Sequence, residues 1–252
     1  MNHFKKHYPI IVKKLQAGLA SDKKSGFKDL KKYIGTQYDF IGLSVPKQRE
    51  VFKSAYTFNA LTPEQQLEIW DEIWLHSELY EAMTQALFFV SRHRNAFDTK
   101  VLFATTKNWV GKIDNWAHSD GLSDIFSYLL EKDATVVYPQ IKIWNKSKNP
   151  WERRQSIVAL LEYSKKRKKV LPVNKLLPLI KPLLNDENYF VQKGVGWTLR
   201  EIGNLYPKDT WNFLVEHHAK ISSVAFSPAI EKLSVKQKEE LKALRKKNRY
   251  FV

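Results

Sequence analysis

Lys193, Trp197 and Arg200 stand four and three residues apart in the stretch Tyr189-Phe190-Val191-Gln192-Lys193-Gly194-Val195-Gly196-Trp197-Thr198-Leu199-Arg200-Glu201. At helical spacing the three side chains share one face. An indole beside two cations suits a nucleic acid, because the ring meets bases while the cations meet phosphates. The same pattern also fits a core tryptophan with a solvated basic edge, so the rest of the chain has to decide between them.

A carboxylate is the next candidate. Lys112-Ile113-Asp114-Asn115-Trp116-Ala117-His118-Ser119-Asp120-Gly121-Leu122-Ser123-Asp124 holds three. Asp114 stands just before a helix start, where an N-cap role accounts for it. Asp120 lies inside the helix, where Asp is a poor helix former, and follows Trp116 by four residues, so indole and carboxylate share a face. There it is either a solvated polar residue or a group that stabilises a developing cation or orients a water. Asp124 is a rival nearby. Arg154 follows Trp151 by three residues. It is either a solvated cation or a phosphate clamp, since the guanidinium fork matches phosphate oxygens bidentately. Arg153 points about 100° away from it.

Other chemistries are excluded. His118 and Asp120 diverge on a helix and have no evident third ligand, so no metal site is expected. Gly194-Val195-Gly196 lies inside a helix and lacks the later glycine of a dinucleotide fingerprint. Close helix packing or close approach to a ligand explains it better. With no cysteine in the chain, disulfides, thiolate zinc sites, iron–sulfur clusters and thiol nucleophiles are ruled out.

The elements that must position these residues read as helices nearly throughout. Ile11, Leu15 and Leu19 form one apolar stripe; Leu67, Trp70, Ile73 and Trp74 form another. Thr62-Pro63-Glu64-Gln65 is a helix start with a capping Thr, Pro at N1 and Gln at N3, and Asn149-Pro150-Trp151-Glu152 repeats the device. Pro207-Lys208-Asp209 marks a boundary, and Ser234-Val235-Lys236-Gln237 opens the last helix. No hairpin signal or sustained period of two argues for strands. The aromatics Tyr80, Trp116, Trp151 and Phe190 recur at spacings of 36, 35 and 39 residues. Two helices per such period mark a HEAT-like array. The expected fold is therefore an all-α, right-handed α-solenoid with a basic concave face, a single domain over residues 1–252. Three or four residues after each aromatic come Met83, Asp120, Arg154 and Lys193; seven after come Leu87, Ser123, Val158 and Trp197. The unusual chemistry thus falls between about residues 114 and 201.

The charge agrees with a polyanionic partner: 42 Lys and Arg against 26 Asp and Glu give +16, and nucleic acid is the default candidate. Two basic runs stand out, Lys165-Lys166-Arg167-Lys168-Lys169 and the C-terminal set Lys242, Arg245, Lys246, Lys247 and Arg249; each also fits a solvated loop or a fraying helix end. Apolar runs such as Ala86-Leu87-Phe88-Phe89-Val90 are far too short for a membrane span, and the N-terminus lacks a signal-peptide core. A cytoplasmic protein is expected.

Three motifs in order resemble the bacterial DNA alkylation repair glycosylases of the AlkD type. Gln192-Lys193-Gly194-Val195-Gly196-Trp197-Thr198-Leu199-Arg200-Glu201 resembles that family's Gln-Lys…Gly-Trp…Leu-Arg-Glu motif, joined by Trp151…Arg153-Arg154 and by Trp116-Ala117-His118-Ser119-Asp120. A looser match is Tyr33…Phe40-Ile41-Gly42-Leu43…Pro46…Arg49. The resemblance spans nearly the whole chain. It implies a glycosylase for N3- and N7-alkylated purines in duplex DNA, acting in base excision repair without everting the base. Asp120 would stabilise an oxocarbenium-like sugar and position water. Trp116 and Trp197 would pack on the lesion nucleotide, Arg154 would hold phosphate, and Trp151, Lys193 and Arg200 would complete the DNA contacts. Tyr33 would border the lesion, with Tyr38 as its competitor. A bacterial monomer working at the nucleoid is implied, with no metal, membrane or cofactor, since hydrolysis needs none. A binder of duplex or branched DNA without catalysis is the main alternative, and a protein-binding helical scaffold another.

Overall fold

The structure is a computed structural model that describes residues 2–22 and 30–248, with side chains to residue 246. Arg249 of the C-terminal basic set lies outside the described residues. The chain divides into two compact units, residues 1–125 and 126–252. Both are all-α; among the described residues a lone bridge between Asp39 and Leu79 is the sole β contact.

The first unit runs through α1 (Asn2–Leu19), α2 (Leu30–Ile34), α3 (Val45–Lys53), α4 (Pro63–His76), α5 (Tyr80–His93), α6 (Thr99–Thr106) and the start of α7 (Trp116–Lys132). Thr62 caps α4 by the reciprocal bonds expected of it: its hydroxyl accepts from Gln65 N, and Gln65 Oε1 accepts from Thr62 N. The apolar stripe of α4 is then buried, Ile73 and Trp74 completely. Trp74 stacks on Trp109 at 4.8 Å and donates its indole N–H to the Trp109 carbonyl at 3.0 Å. A buried indole thereby keeps both its apolar contact and its donor satisfied. Of the α1 stripe, Ile11 and Leu15 are buried and Leu19 is half-buried.

The second unit holds the rest of α7, then α8 (Ala134–Trp144), α9 (Pro150–Val158), α10 (Val173–Ile180), α11 (Tyr189–Leu205), α12 (Pro207–His217), α13 (Ser223–Ala229) and α14 (Val235–Asn248). Asn149 caps α9, Asn188 caps α11, and a reciprocal Ser234–Gln237 pair opens α14. Helices α5, α7, α9 and α11 begin at Tyr80, Trp116, Pro150 and Tyr189, so the aromatic spacing marks every second helix start. Among the described residues no helix is long and apolar enough to cross a membrane.

The register is less uniform than the spacing predicts. Leu87, Ser123 and Val158 are buried, and of the positions seven after the aromatic only Trp197 reaches the surface. Two glycines explain how α11 packs. A Cβ on Gly196 would stand 2.3 Å from the Ala225 carbonyl oxygen of α13. One on Gly194 would stand 2.9 Å from Arg154 Nη1. At Gly196 close approach to backbone excludes a side chain, which outweighs the propensity cost of glycine; at Gly194 an added Cβ would have to displace the end of the Arg154 side chain.

Candidate active site

In the first unit the site is built around the N-terminus of α7. Asn115, not Asp114, caps the helix, its Oδ1 accepting from His118 N at 2.9 Å. The expectation that Asp114 is the N-cap is corrected. Asp114 instead accepts from the Thr36 hydroxyl at 2.9 Å, from Gln37 N at 2.6 Å and from Asn115 Nδ2 at 2.7 Å. A carboxylate that gathers several donors holds a loop firmly. Here it fixes the segment that follows α2.

In α2 itself, just before that segment, Tyr33 meets Trp116. The indole N–H donates to the Tyr33 carbonyl at 3.0 Å, and the rings meet edge to face at 5.4 Å and 80°. Tyr33 is 65% exposed and Trp116 half-buried. Tyr38 is engaged elsewhere. Its hydroxyl donates to the Lys112 carbonyl at 2.5 Å, and burial, then Asp114 and Glu78, push its pKa up. Tyr33 is therefore the aromatic that borders Trp116. The Phe40-Ile41-Gly42-Leu43 stretch is fixed by buried Glu81, which accepts from Ile41 N at 3.1 Å and Gly42 N at 2.7 Å.

His118 lies beneath this surface, fully enclosed. It stacks on Tyr80 at 4.4 Å and bonds Thr84 Oγ1 through Nε2 and Asn115 Nδ2 through Nδ1. Asn115 Nδ2 can only donate, so Nδ1 accepts and the proton sits on Nε2, donating to Thr84, whose hydroxyl passes on to the Tyr80 carbonyl. Burial lowers its pKa to about 4, with Asp114 opposing. This histidine is a neutral structural strut. No group of three or more metal-ligating side chains occurs among the described residues.

Asp120 follows one turn after Trp116 and is half-buried. Of the neighbouring carboxylates, Asp114 is bonded as above, and Asp124 accepts from Arg94 Nη1 at 3.0 Å. Gly121 beside it makes room for Leu87, whose Cδ1 would be 2.7 Å from an added Cβ.

In the second unit, Trp151 is half-buried and stacks on Phe190 at 5.0 Å. Arg153 grips Asp186 with two bonds, Nε to Oδ2 at 2.5 Å and Nη2 to Oδ1 at 3.1 Å, and also donates to the Ser147 and Lys148 carbonyls. It serves the fold. Arg154 is neither solvated nor an open clamp: it is 6% exposed and donates from Nη1 to the Phe190 carbonyl at 3.1 Å. The space left by Gly194 lets it lie there. Lys193 is exposed and makes no ion pair among the described residues.

Arg200 lies over the Trp197 ring, its Cζ 5.7 Å from the centroid. Two carboxylates brace it: Glu231 at 2.8 Å and Glu201 at 3.2 Å. Arg200 in turn lowers the pKa of Glu231. Sequence reasoning did not single out Tyr163, which meets Trp197 edge to face at 5.5 Å. Its place just before the Lys165–Lys169 run was the available signal.

Helical pairs at a regular spacing, a net charge of +16 and an aromatic pair followed one turn later by an acid define a helical-repeat protein. A family model described as "DNA alkylation repair enzyme" matches residues 13–233, and the chain belongs to that family. A solved structure described as a predicted DNA alkylation repair enzyme from Enterococcus faecalis is 18% identical, with a TM-score of 0.69, covering 85% of this chain and 97% of that one. AlkD2 from Streptococcus mutans is 20% identical with a TM-score of 0.50, covering 87% and 97%. At these identities the likeness shows the shared all-α repeat fold. No curated protein matches the chain.

Proposed function

We propose that this protein is a DNA glycosylase that hydrolyses the N-glycosidic bond of N3- and N7-alkylated purines in duplex DNA. The observation that carries the reading is the pair Tyr33–Trp116, locked by a 3.0 Å hydrogen bond, with the half-buried carboxylate of Asp120 one turn along α7. An alkylated purine is already cationic. As its glycosidic bond breaks, the electron pair goes to the base, which leaves neutral, and the positive charge passes to the sugar. Aromatic faces and a carboxylate both stabilise a cation in that position. Water, oriented by Asp120, then adds to C1′ and releases its proton to solvent, which leaves a neutral sugar hydroxyl.

Lys193, which is exposed, supplies a phosphate contact, Arg200 lies against Trp197, and Arg154, buried under α11, contributes its charge without a direct phosphate contact. Trp151 and Trp197 offer apolar surface to the strand. The domain is read as one functional chain over residues 1–252, which the family match through residues 13–233 supports. The work is placed at the chromosome of a bacterium, in the cytoplasm, by a monomer without a cofactor.

The test is to incubate the protein with duplex DNA methylated at purine N3 and N7, without metal, and to quantify free bases. Wild type should release them and Asp120→Asn should not, while the variant binds DNA at least as well because an acid facing phosphates is gone. Salt-dependent DNA binding by both, with release by neither, would replace the glycosylase with a non-catalytic DNA binder.

A further inference from the structure

Tyr163 combines three features. Its backbone is left-handed, at φ +46° and ψ +88°, a conformation that bulky residues rarely adopt. Its side chain is 50% exposed. Its ring stands edge to face against Trp197 at 5.5 Å, with Lys166 Nζ 4.5 Å from its centroid.

The strain is held in place from both sides. Ser164 donates both its backbone N–H and its hydroxyl to Glu201 Oε2, at 2.8 and 2.7 Å. Glu162 donates its N–H to Ser127 Oγ at 2.9 Å. Glu201 also holds Arg200, the cation over Trp197. One buried carboxylate thus sets both the arginine above the indole and the turn that aims the tyrosine. Backbone strain persists where surrounding bonds over-determine it, and such outliers gather at functional positions.

We propose that Tyr163 is a further DNA-contacting residue, an aromatic platform preset against Trp197 on which a deoxynucleotide of the bound strand packs. The inference rests on the reading of this chain as a DNA enzyme. Lys166, from the basic run that follows, stands over the ring, the combination of cation and aromatic face that holds a strand by stacking and phosphate contact together.

Affinity for a short duplex is measured by fluorescence anisotropy over a range of salt, alongside melting temperature, for wild type, Tyr163→Phe, Tyr163→Asn and Tyr163→Gly. Asn and Gly accept the left-handed backbone, so either serves if the other fails to fold. Both should lose about tenfold in affinity while keeping their melting temperature, because relief of strain offsets the lost ring contact. The slope of affinity with salt should not change, since no charge is removed. Tyr163→Phe should bind as wild type does. Wild-type affinity in both the Asn and Gly variants overturns the inference while leaving the DNA reading standing. So does an affinity loss matched by a lower melting temperature in both, since the ring then serves the fold. Absence of salt-dependent DNA binding by wild type overturns the DNA reading, and this inference with it.

Discussion

The indole N–H of Trp116 donates to the backbone carbonyl of Tyr33 at 3.0 Å, across 83 residues of chain. The bond uses the polar handle of an aromatic pair, so ring position and loop position are set together. Trp116→Phe keeps a ring but loses the donor. It should cost about 1 kcal/mol, read as roughly fivefold weaker excision and faster amide exchange at Gln37 and Tyr38. Unchanged exchange there would show that Asp114 alone holds the loop.

His118 makes stability depend on pH. Its folded pKa is lowered to about 4 from 6.5 by burial, so the unfolded chain binds more protons than the folded one between those values. Its contribution is fully present above about pH 6.5 and is lost as pH falls towards 4, up to about 3 kcal/mol. Urea unfolding at pH 7 and pH 4.5 should show a larger loss for wild type than for His118→Gln, which cannot titrate. Equal losses would assign the acid sensitivity to other groups.

Packing at α11 predicts a contrast between two glycines. Gly196→Ala would drive its Cβ to 2.3 Å from a backbone oxygen, and should destabilise by about 1–3 kcal/mol or more. Gly111 has nothing within 4 Å of an added Cβ. Gly111→Ala should be neutral or stabilising by about 0.4–1 kcal/mol. Thermal melts of the two variants check this.

The cations divide into structural and open ones. Lys193→Ala should reduce the slope of log affinity against log salt by about 0.9 with little change in melting temperature. Arg153→Ala should leave that slope as it is and lower stability, because it strands buried Asp186, whose side chain is 6% exposed. A matching fall in slope for both variants would place Arg153 on the DNA.

Helix starts were legible because the signals are local. Thr62 and Gln65, Asn149 and Pro150, and Ser234 and Gln237 each lie within one turn of the backbone groups they serve. The aromatic spacing works for the same reason, and the ordered motifs point to the family from the sequence alone. Long-range partners decided what each functional side chain can do. Arg154 and Lys193 occupy equivalent places after their aromatics, yet one is buried against Phe190 and the other is open; the difference is the space that Gly194 leaves on a neighbouring helix. Asp114 has the position of a cap, but Thr36 and Gln37 claim its carboxylate from 78 and 77 residues away. Tyr163 has no periodic signal at all, because its placement against Trp197 comes from a backbone angle and from the bonds of Glu201 to Ser164, both products of packing. Spacing along a helix sets which side chains can share a face, but exposure and charge pairing depend on what the rest of the chain folds against that face.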